Sequence, residues 1–269
     1  MRRLLIAAAL MLGALPAAAQ PAKESRMPPP SPEVIAALAP TGKLIAAINY
    51  GNAVLARRDP ATGALSGATV DMANELGRRL GKPVQLIGYE AVAPLIAAQP
   101  TDRWDVCFVG SDPERAKLVD FTAPYVLIEG TYLVREDSPY KAVADLDKPG
   151  LRVTVSKGAA YDLALTRQLK NAQIDRVATT SKGAIERFQT EGFDAGAGIR
   201  PELMLAQAER PGYRVLPDAY ASVTQSMGTP VGRGPAAAYL SAFVEELKAN
   251  GFIRAALDRA GQPGATIAP

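Results

Sequence analysis

Two residue types limit the chemistry that this chain can perform. It contains no histidine, which removes the commonest general base, the Ser-His-Asp and Cys-His arrangements and the usual zinc ligand. Its one cysteine, Cys107, can form neither an intrachain disulfide nor a thiolate metal cluster. Cys107 lies in the apolar run 106–109, which predicts a buried strand position. We therefore expect no metal site and no cofactor.

Carboxylates are the remaining groups suited to acid–base chemistry. Glu129 is the one to watch, because it interrupts the apolar segment 125–134, although a salt-bridged structural role is the alternative. The segment Gly196–Pro201 begins like a dinucleotide-binding fingerprint, yet it has proline where the third glycine belongs. Nucleotide binding is therefore not expected.

From Pro32 onward, short β-like runs alternate with amphipathic helices, which is typical of an α/β protein. The spacing of Val70, Ala73, Leu76 and Leu80 predicts one buried helical face, and 81–83 should end that helix. In the second half, a strand is predicted at 176–178. Ala184, Ile185 and Phe188 then predict the buried face of a helix.

The strongest motif in the sequence is 111–125, SDPERAKLVDFTAPY. With its surroundings it resembles the polar amino-acid family of periplasmic solute-binding proteins, called family 3. That family has a small polar segment at a strand end, then Pro-Glu-Arg-x-Lys, then Val-Asp-Phe-Ser/Thr-x-Pro-Tyr. The resemblance continues at Gly42-Lys43-Leu44, Asp71 and Lys157-Gly158, and it covers residues 41–261.

The resemblance implies an α/β fold of the two-lobed type II periplasmic-binding architecture, with two hinge strands. By analogy, lobe one takes residues 41–126 plus 224–269, and lobe two takes residues 131–220. Before the lobes, residues 20–40 form a Pro-rich arm and a short helix.

In this family the arginine of Pro-Glu-Arg holds the carboxylate of the ligand, and here that residue is Arg115. A guanidinium suits the task, because its planar fork donates two parallel hydrogen bonds and keeps its charge. The loop 157–161 leads into a helix, whose free N–H groups favour an anion. Tyr50 stands where the family places an aromatic against the ligand, but it is equally a loop aromatic. The predicted ligand-binding residues are Arg115, Tyr50, Asn52, Gly110, Ser111, Ala160, Tyr161 and Arg200, with Gln225 ranked low.

The chain departs from the family at the positions that bind an amino acid. Phe108, Val109 and Gly110 replace the small hydroxyl residues before Pro-Glu-Arg, and alanines replace Ser or Thr at 159–160. The segment 198–200 lacks the carboxylate that pairs with an α-ammonium group, and an unpaired buried ammonium is costly. We therefore predict a carboxylate ligand without a standard α-amino group, with a second acidic or polar end near Arg200 or Lys157.

A local slip in this alignment is the alternative to that prediction. In that case Glu202, Asp194 or Glu129 supplies the acid that pairs with an amino group.

Residues 1–19 have the form of a signal peptide. Arg2 and Arg3 precede the apolar run 4–15, and Ala17-Ala18-Ala19 predicts cleavage before Gln20. The apolar run is shorter than the roughly 20 residues that span a bilayer. We therefore expect a periplasmic protein released from its signal peptide. Without Arg2 and Arg3 the net charge falls from +3 to +1, so nucleic acid is not an expected partner.

The expected function is the substrate-binding component of an ABC importer, which captures a small carboxylate by closing its lobes. Its expected partners are that carboxylate and a membrane permease, and the chain is expected to be a monomer that performs no bond chemistry. The alternative is a periplasmic enzyme on the same fold, of the cyclohexadienyl dehydratase type. Such an enzyme would need a poised acid such as Glu129. A sensor or adhesin module is a third possibility.

Overall fold

The computed structural model describes residues 27–99, 104–178, 180–262 and 265–269. The predicted signal peptide and the first part of the Pro-rich arm lie outside these residues. The described chain begins against the protein surface, where the backbone N–H of Met27 donates to Glu246 Oε2 (3.2 Å). Helix α1 (Pro32–Leu38) follows, and its N-cap Ser31 accepts a hydrogen bond from the Val34 N–H (3.3 Å).

The first half of the chain forms a parallel sheet covered by helices. Strand β1 lies between β4 and β5, and all three run in the same direction. A two-stranded hairpin, β2 with β3, lies beside them. The elements are β1 (Leu44–Asn49), β2 (Arg57–Arg58), β3 (Leu65–Ser66), α2 (Ala68–Leu80), β4 (Val84–Tyr89), α3 (Val92–Ala97) and β5 (Val106–Gly110).

The middle of the chain forms a second parallel sheet. Strand β7 pairs in parallel with β8 on one side and β9 on the other. These elements are β7 (Arg152–Ser156), α4 (Ala160–Gln168), β8 (Gln173–Val177), α5 (Ser181–Thr190), β9 (Ala195–Ile199), α6 (Arg200–Glu209) and β10 (Tyr213–Val215).

Two long antiparallel strands join the two sheets. Strand β6 (Val119–Arg135) pairs with β11 (Ala221–Pro230) along most of its length, with register shifts on either side of Ser226. Strand β11 also pairs with β5, and the far end of β6 pairs with β9 and β10. The hydrogen-bonded order is therefore β4-β1-β5-β11-β6-β9-β7-β8. This continuity makes β6 and β11 the two hinge strands of a two-lobed fold.

The end of the chain returns to the first sheet. Helices α7 (Pro235–Ala249) and α8 (Phe252–Arg259) pack together, and α7 also packs on β6 and α1. Strand β12 (Thr266–Ile267) pairs with β6 near Val126 and Leu127. The exact lobe boundaries at 126/131 and 220/224 stay a prediction, and they fall within or beside β6 and β11.

Local sequence signals predict several elements correctly. The four apolar residues expected on one face of α2 are all buried, and Gly81 ends the helix in the left-handed conformation (φ 63°). The predicted face of α5 is buried as well. Cys107 is fully buried in β5, and this burial raises the pKa of its thiol to about 12. The second-lobe strand β8, however, begins at Gln173, three residues before its predicted start.

Helix α2 approaches β4 so closely that one position in the contact must be glycine. A Cβ atom on Gly77 would stand 2.2 Å from Val84 Cγ2 and 3.0 Å from the Lys82 carbonyl oxygen. Alanine is normally about 1 kcal/mol better than glycine inside a helix. Here we expect Gly77→Ala to destabilise the protein by about 1–3 kcal/mol, because the methyl group overpacks the contact. Urea unfolding measures the change.

A double variant provides the control. In Gly77→Ala/Val84→Ala the clashing methyl group is gone, so the loss should be at least about 1 kcal/mol smaller than the sum of the single losses. Additive losses would contradict the clash.

Candidate ligand-binding cleft

The carboxyl ends of the parallel strands of both lobes meet at one cleft. Asn49 ends β1, Gly110 ends β5, Ser156 ends β7 and Ile199 ends β9, and all four line the same cavity. In α/β sheets this edge is where ligands bind, because the strands stop there and the connecting loops leave a crevice. The topology alone therefore marks the cleft as the candidate site.

The cavity is narrow, with a volume of about 40 Å³. That is enough for a few water molecules or a small ligand group. Both lobes and the hinge strand β11 contribute to its wall. The lining residues are Asn49, Gly51, Asn52, Glu90, Ala91, Val92, Gly110, Arg115, Ser156, Ala159, Ala160, Tyr161, Thr180, Ser181, Ile199, Val223 and Gln225.

Arg115 is the cation of this cavity. A short 3-10 turn over Arg115–Lys117 carries it, and Asp112 Oδ1 accepts the Glu114 N–H (2.9 Å) just before that turn. Only 5% of Arg115 is exposed. Its Nη1 donates to the Gly110 carbonyl (2.5 Å), and its Nη2 donates to the Gly158 carbonyl across the cleft (2.5 Å).

Burial lowers the pKa of Arg115 to about 10, and the negative charges of Asp112 and Asp162 oppose this shift. The two carbonyl groups are neutral dipoles, so they satisfy donors without neutralising the charge. An anion within the cavity would therefore be stabilised by a desolvated guanidinium.

Backbone N–H groups form the opposite wall. Helix α4 begins at Ala160, and its N-cap Ala159 makes no side-chain capping bond. The first bond of the helix runs from the Leu163 N–H to the Ala159 carbonyl (3.1 Å), so the N–H groups of Ala160 and Tyr161 precede the helical ladder. The loop is held from behind, since Asp162 Oδ2 accepts the Gly158 N–H (2.8 Å). This wall favours the same anion that Arg115 does.

An ion pair also joins the two lobes outside the cavity. Arg167 of α4 donates to Asp112 Oδ2 of the first lobe (2.7 Å). Asp112 is buried, whereas the Arg167 side chain is 56% exposed, so water screens the pair from one side. Asp112 thus supports the Arg115 turn and meets the second lobe.

Small residues allow the lobes to come this close. A Cβ atom on Gly110 would stand 2.6 Å from Ala160 Cβ, and one on Gly158 would stand 3.2 Å from Ala93 Cβ. Gly158 also has a left-handed backbone conformation (φ 73°), which favours glycine on its own account. Gly110 and Ala160, which depart from the family pattern, therefore bring the two walls close together.

Of the eight residues predicted to bind ligand, five line the cavity: Asn52, Gly110, Arg115, Ala160 and Tyr161. Ser111 follows β5 and contacts the hinge strand β11, where its Oγ is 2.7 Å from Thr224 Oγ1. Tyr50 lines a wider groove next to the cavity. Ligand binding by these residues stays a prediction.

Arg200 is not among the residues that line the cavity. Its Nε donates to Glu129 Oε2 (2.5 Å), and its Nη atoms donate to the carbonyls of Leu216, Pro217 and Asp218. Arg200 therefore ties β6 to the loop before β11, and the expectation of a second ligand end beside it needs correction. Glu129 forms a salt bridge with Arg200, which is the structural role that the sequence analysis gave as the alternative to acid–base chemistry, and its side chain is 57% exposed.

Several polar residues of the cavity wall escaped the sequence analysis. They are Asn49, Glu90, Ser156, Thr180 and Ser181, while Gln225 was ranked low. The signal that finds the first three is their position at or just after the carboxyl end of a parallel strand.

Of the three alternative acids, Glu202 lines a groove next to the cavity. Its Oε1 accepts the Ala53 N–H of the other lobe (3.3 Å). Its negative charge acts on Tyr161, whose hydroxyl is 2.7 Å from Ser181 Oγ. Asp194 instead accepts the Arg152 N–H (2.8 Å) and has a structural role.

Within the described ranges, no three Cys, Asp or Glu side chains are grouped so as to hold a metal ion. The helices of the described part include none that is long and apolar enough to cross a membrane.

Two α/β lobes, two hinge strands and a cleft at the strand ends define the type II periplasmic-binding class of protein. A family model for "Bacterial extracellular solute-binding proteins, family 3" matches residues 47–261. The chain belongs to this family.

The similarity to one individual relative covers less of the chain than the family model does. The glutamine-binding protein of Geobacillus stearothermophilus is 28% identical over 122 residues, which is 44% of this chain. The match spans 46% of that relative's length, less than half.

Solved structures share the fold over most of the chain. An amino acid ABC transporter substrate-binding protein from Streptococcus pneumoniae, bound to L-arginine, has a TM-score of 0.72 at 20% identity, over 87% of this chain and 99% of its own. The ancestral amino acid-binding protein AncCDT-1, a precursor of cyclohexadienyl dehydratase, has a TM-score of 0.70 at 22% identity, over 84% and 98%. At these identities the likeness shows the fold alone.

The contact between Gly110 and Ala160 predicts how closure can be blocked. Ordinary carbon–carbon contacts are about 3.5–4.0 Å, so a methyl group at Gly110 would hold the walls roughly 1 Å too far apart. We expect Gly110→Ala to weaken, by about tenfold or more, the binding of any carboxylate that the wild type binds. Titration calorimetry measures this.

The matched control is Gly110→Ala/Ala160→Gly, which moves the methyl group from one wall to the other and should restore most of the affinity. If the single variant binds as the wild type does, the lobes do not approach in this way.

Proposed function

We propose that this protein is the periplasmic substrate-binding component of an ABC importer and captures a small carboxylate by closing its lobes. It acts as a monomer, delivers the ligand to a membrane permease and performs no bond chemistry. The observation that carries the proposal is the buried guanidinium of Arg115, placed between the two walls of the cleft.

Binding and closure are coupled through the two walls. Arg115 belongs to the first lobe, and the N–H groups at the start of α4 belong to the second. A carboxylate between them accepts hydrogen bonds from both, so the closed arrangement binds the anion better than either lobe does alone. A ligand shifts a conformational equilibrium only through such a difference in affinity.

The ligand class follows from the wall of the cavity. The relatives named above include a glutamine-binding protein and a protein bound to L-arginine, which favours amino-acid-like ligands. Ile199, however, ends β9 and is buried in the cavity wall. The next residue, Arg200, does not line the cavity and makes its hydrogen bonds outside it. An α-ammonium group would meet an apolar side chain there. We therefore propose a carboxylate without an α-ammonium group.

One experiment distinguishes the proposed function from the alternative, an enzyme on the same fold. Its expected acid, Glu129, is half exposed and paired with Arg200, and it does not line the cavity. Incubating the protein with prephenate or arogenate and following the aromatic product by absorbance distinguishes the two functions. Turnover would replace the transport proposal with a dehydratase of this fold.

Substitutions of Arg115 and Arg200 test which of these two arginines binds the carboxylate. In a thermal-shift screen over small carboxylates, a ligand at 100 times its Kd adds about 2.7 kcal/mol to the free energy of unfolding. We expect Arg115→Met to abolish every shift, because it removes the cation while keeping a long side chain in the cavity.

Arg200→Met is the matched control. It lowers the baseline melting temperature by removing four hydrogen bonds, but it should leave the ligand-induced shifts in place. Shifts that survive in Arg115→Met and vanish in Arg200→Met would place the carboxylate elsewhere.

A further inference from the structure

A second, larger cavity opens beside the cleft, between α6 and the loop after β1. We call it the α6 groove; its volume is about 590 Å³. Its apolar wall includes Ile185, Leu205 and Ala206. Its charged lining residues are Glu90, Glu186, Glu202, Glu209, Lys182 and Arg210, so carboxylates outnumber cations by two.

The groove adjoins the cleft cavity. Gly51, Glu90 and Thr180 line both of them. Arg115 and Glu90 are the charged residues that line the cleft cavity, whereas the neighbouring groove has an excess of carboxylates.

Two lining residues of this groove, Gln189 and the half-buried Glu202, each have a buried side-chain atom without a hydrogen-bond partner in the described part of the chain, and Glu202 is the one that carries charge. Its Oε1 accepts the Ala53 N–H, while its Oε2 is buried and has no hydrogen-bond partner within the described part of the chain. Buried carboxylate oxygens are almost always hydrogen-bonded, so an unpartnered one beside a cavity indicates a missing donor. Burial also raises the pKa of Glu202 to about 7, and two nearby donors only partly offset this shift: the Ala53 N–H and the Ser181 hydroxyl, which is itself paired with the Tyr161 hydroxyl (2.7 Å).

The position of Glu202 differs from that of an α-ammonium site. It stands in the first turn of α6, beyond Ile199, and it lines the α6 groove but not the cavity that contains Arg115. A cation that reaches it must be separated from the carboxylate by several bonds.

We infer that the ligand carries its carboxylate at Arg115 and a protonated amine or guanidinium at its other end, bound by Glu202 in the α6 groove. The ligand class is thus an ω-amino or ω-guanidino carboxylate with an aliphatic spacer and no α-ammonium group. This inference rests on the proposed function. The spacer packs against the apolar wall, and the cation supplies the donor that Glu202 Oε2 lacks.

Calorimetric titration of the mature protein at pH 8 tests the inference with three probes: 5-aminopentanoate, 4-guanidinobutanoate and pentanoate. We expect the two cationic acids to bind at least tenfold more tightly than pentanoate. In Glu202→Gln this advantage should disappear, while the affinity for pentanoate stays within threefold of the wild type.

Glu33→Gln is the matched control, since it makes the same change at an exposed position that lines neither the cleft cavity nor the groove. It should alter each affinity by less than threefold. Circular dichroism checks that Glu202→Gln folds. Its melting temperature at pH 8 should equal or exceed that of the wild type, because glutamine replaces a desolvated charge.

The pH dependence provides a second readout. Glu202 is protonated below pH 7 and must ionise to bind a cation, so the affinity for 5-aminopentanoate should rise about tenfold from pH 6 to pH 8. Binding at pH 6 should release close to one proton, measured from the heat in buffers of different ionisation enthalpy. Pentanoate should show neither effect, and Glu202→Gln should lose both. The other ionisable groups facing this site are Tyr161, Lys182, Glu90, Glu186, Glu209 and Arg210.

The outcomes separate the two proposals. If Arg115→Met abolishes binding but pentanoate binds as tightly as the cationic acids, the inference fails and the proposed function stands. Tighter binding of ordinary α-amino acids also overturns the inference. If no carboxylate binds, or if binding survives in Arg115→Met, the proposed function fails, and the inference fails with it.

Discussion

The structure depends on one buried positive charge between two lobes. Arg115 has lost its water, and its two hydrogen bonds end on carbonyl dipoles, one from each side of the cleft. A desolvated guanidinium of this kind binds an anion more strongly than an exposed one, because the low local dielectric strengthens the attraction. The strand ends, the hinge and the start of α4 are all arranged around this group.

The surroundings of Arg115 show how charge and size act together. Asp112 holds the turn that carries Arg115 and also meets Arg167 across the cleft, so a single carboxylate supports both the site and its closure. Gly110 and Ala160 leave no room for a side chain between the walls. In our proposal the narrow cavity holds the carboxylate group of the ligand, and the neighbouring α6 groove, which is wider and has an excess of carboxylates, holds the rest.

Much of the fold follows from local patterns. The buried faces of α2 and α5, the strand containing Cys107 and the glycine that ends α2 were all predictable, because each depends on neighbours within one or two turns. The predicted start of β8 is wrong. This edge strand has exposed polar residues at Gln173 and Arg176 and no buried side chain, so its sequence gives little apolar alternation to mark where the strand begins. The hinge strands came only from the family resemblance, because their pairing joins residues about 100 positions apart.

The candidate site, like the fold, was predictable from the sequence only in part. The sequence by itself determined the types of residue: an arginine after Pro-Glu, alanines at the start of α4 and no carboxylate at 198–200. Only the tertiary structure decided which of them meet. It placed Arg200 with Glu129 and three carbonyls, outside the cavity lining, and it brought Glu202 of the second lobe to the Ala53 N–H of the first. The physical reason is that a charged side chain pairs with whatever the fold brings within hydrogen-bonding distance, and these partners are distant in sequence.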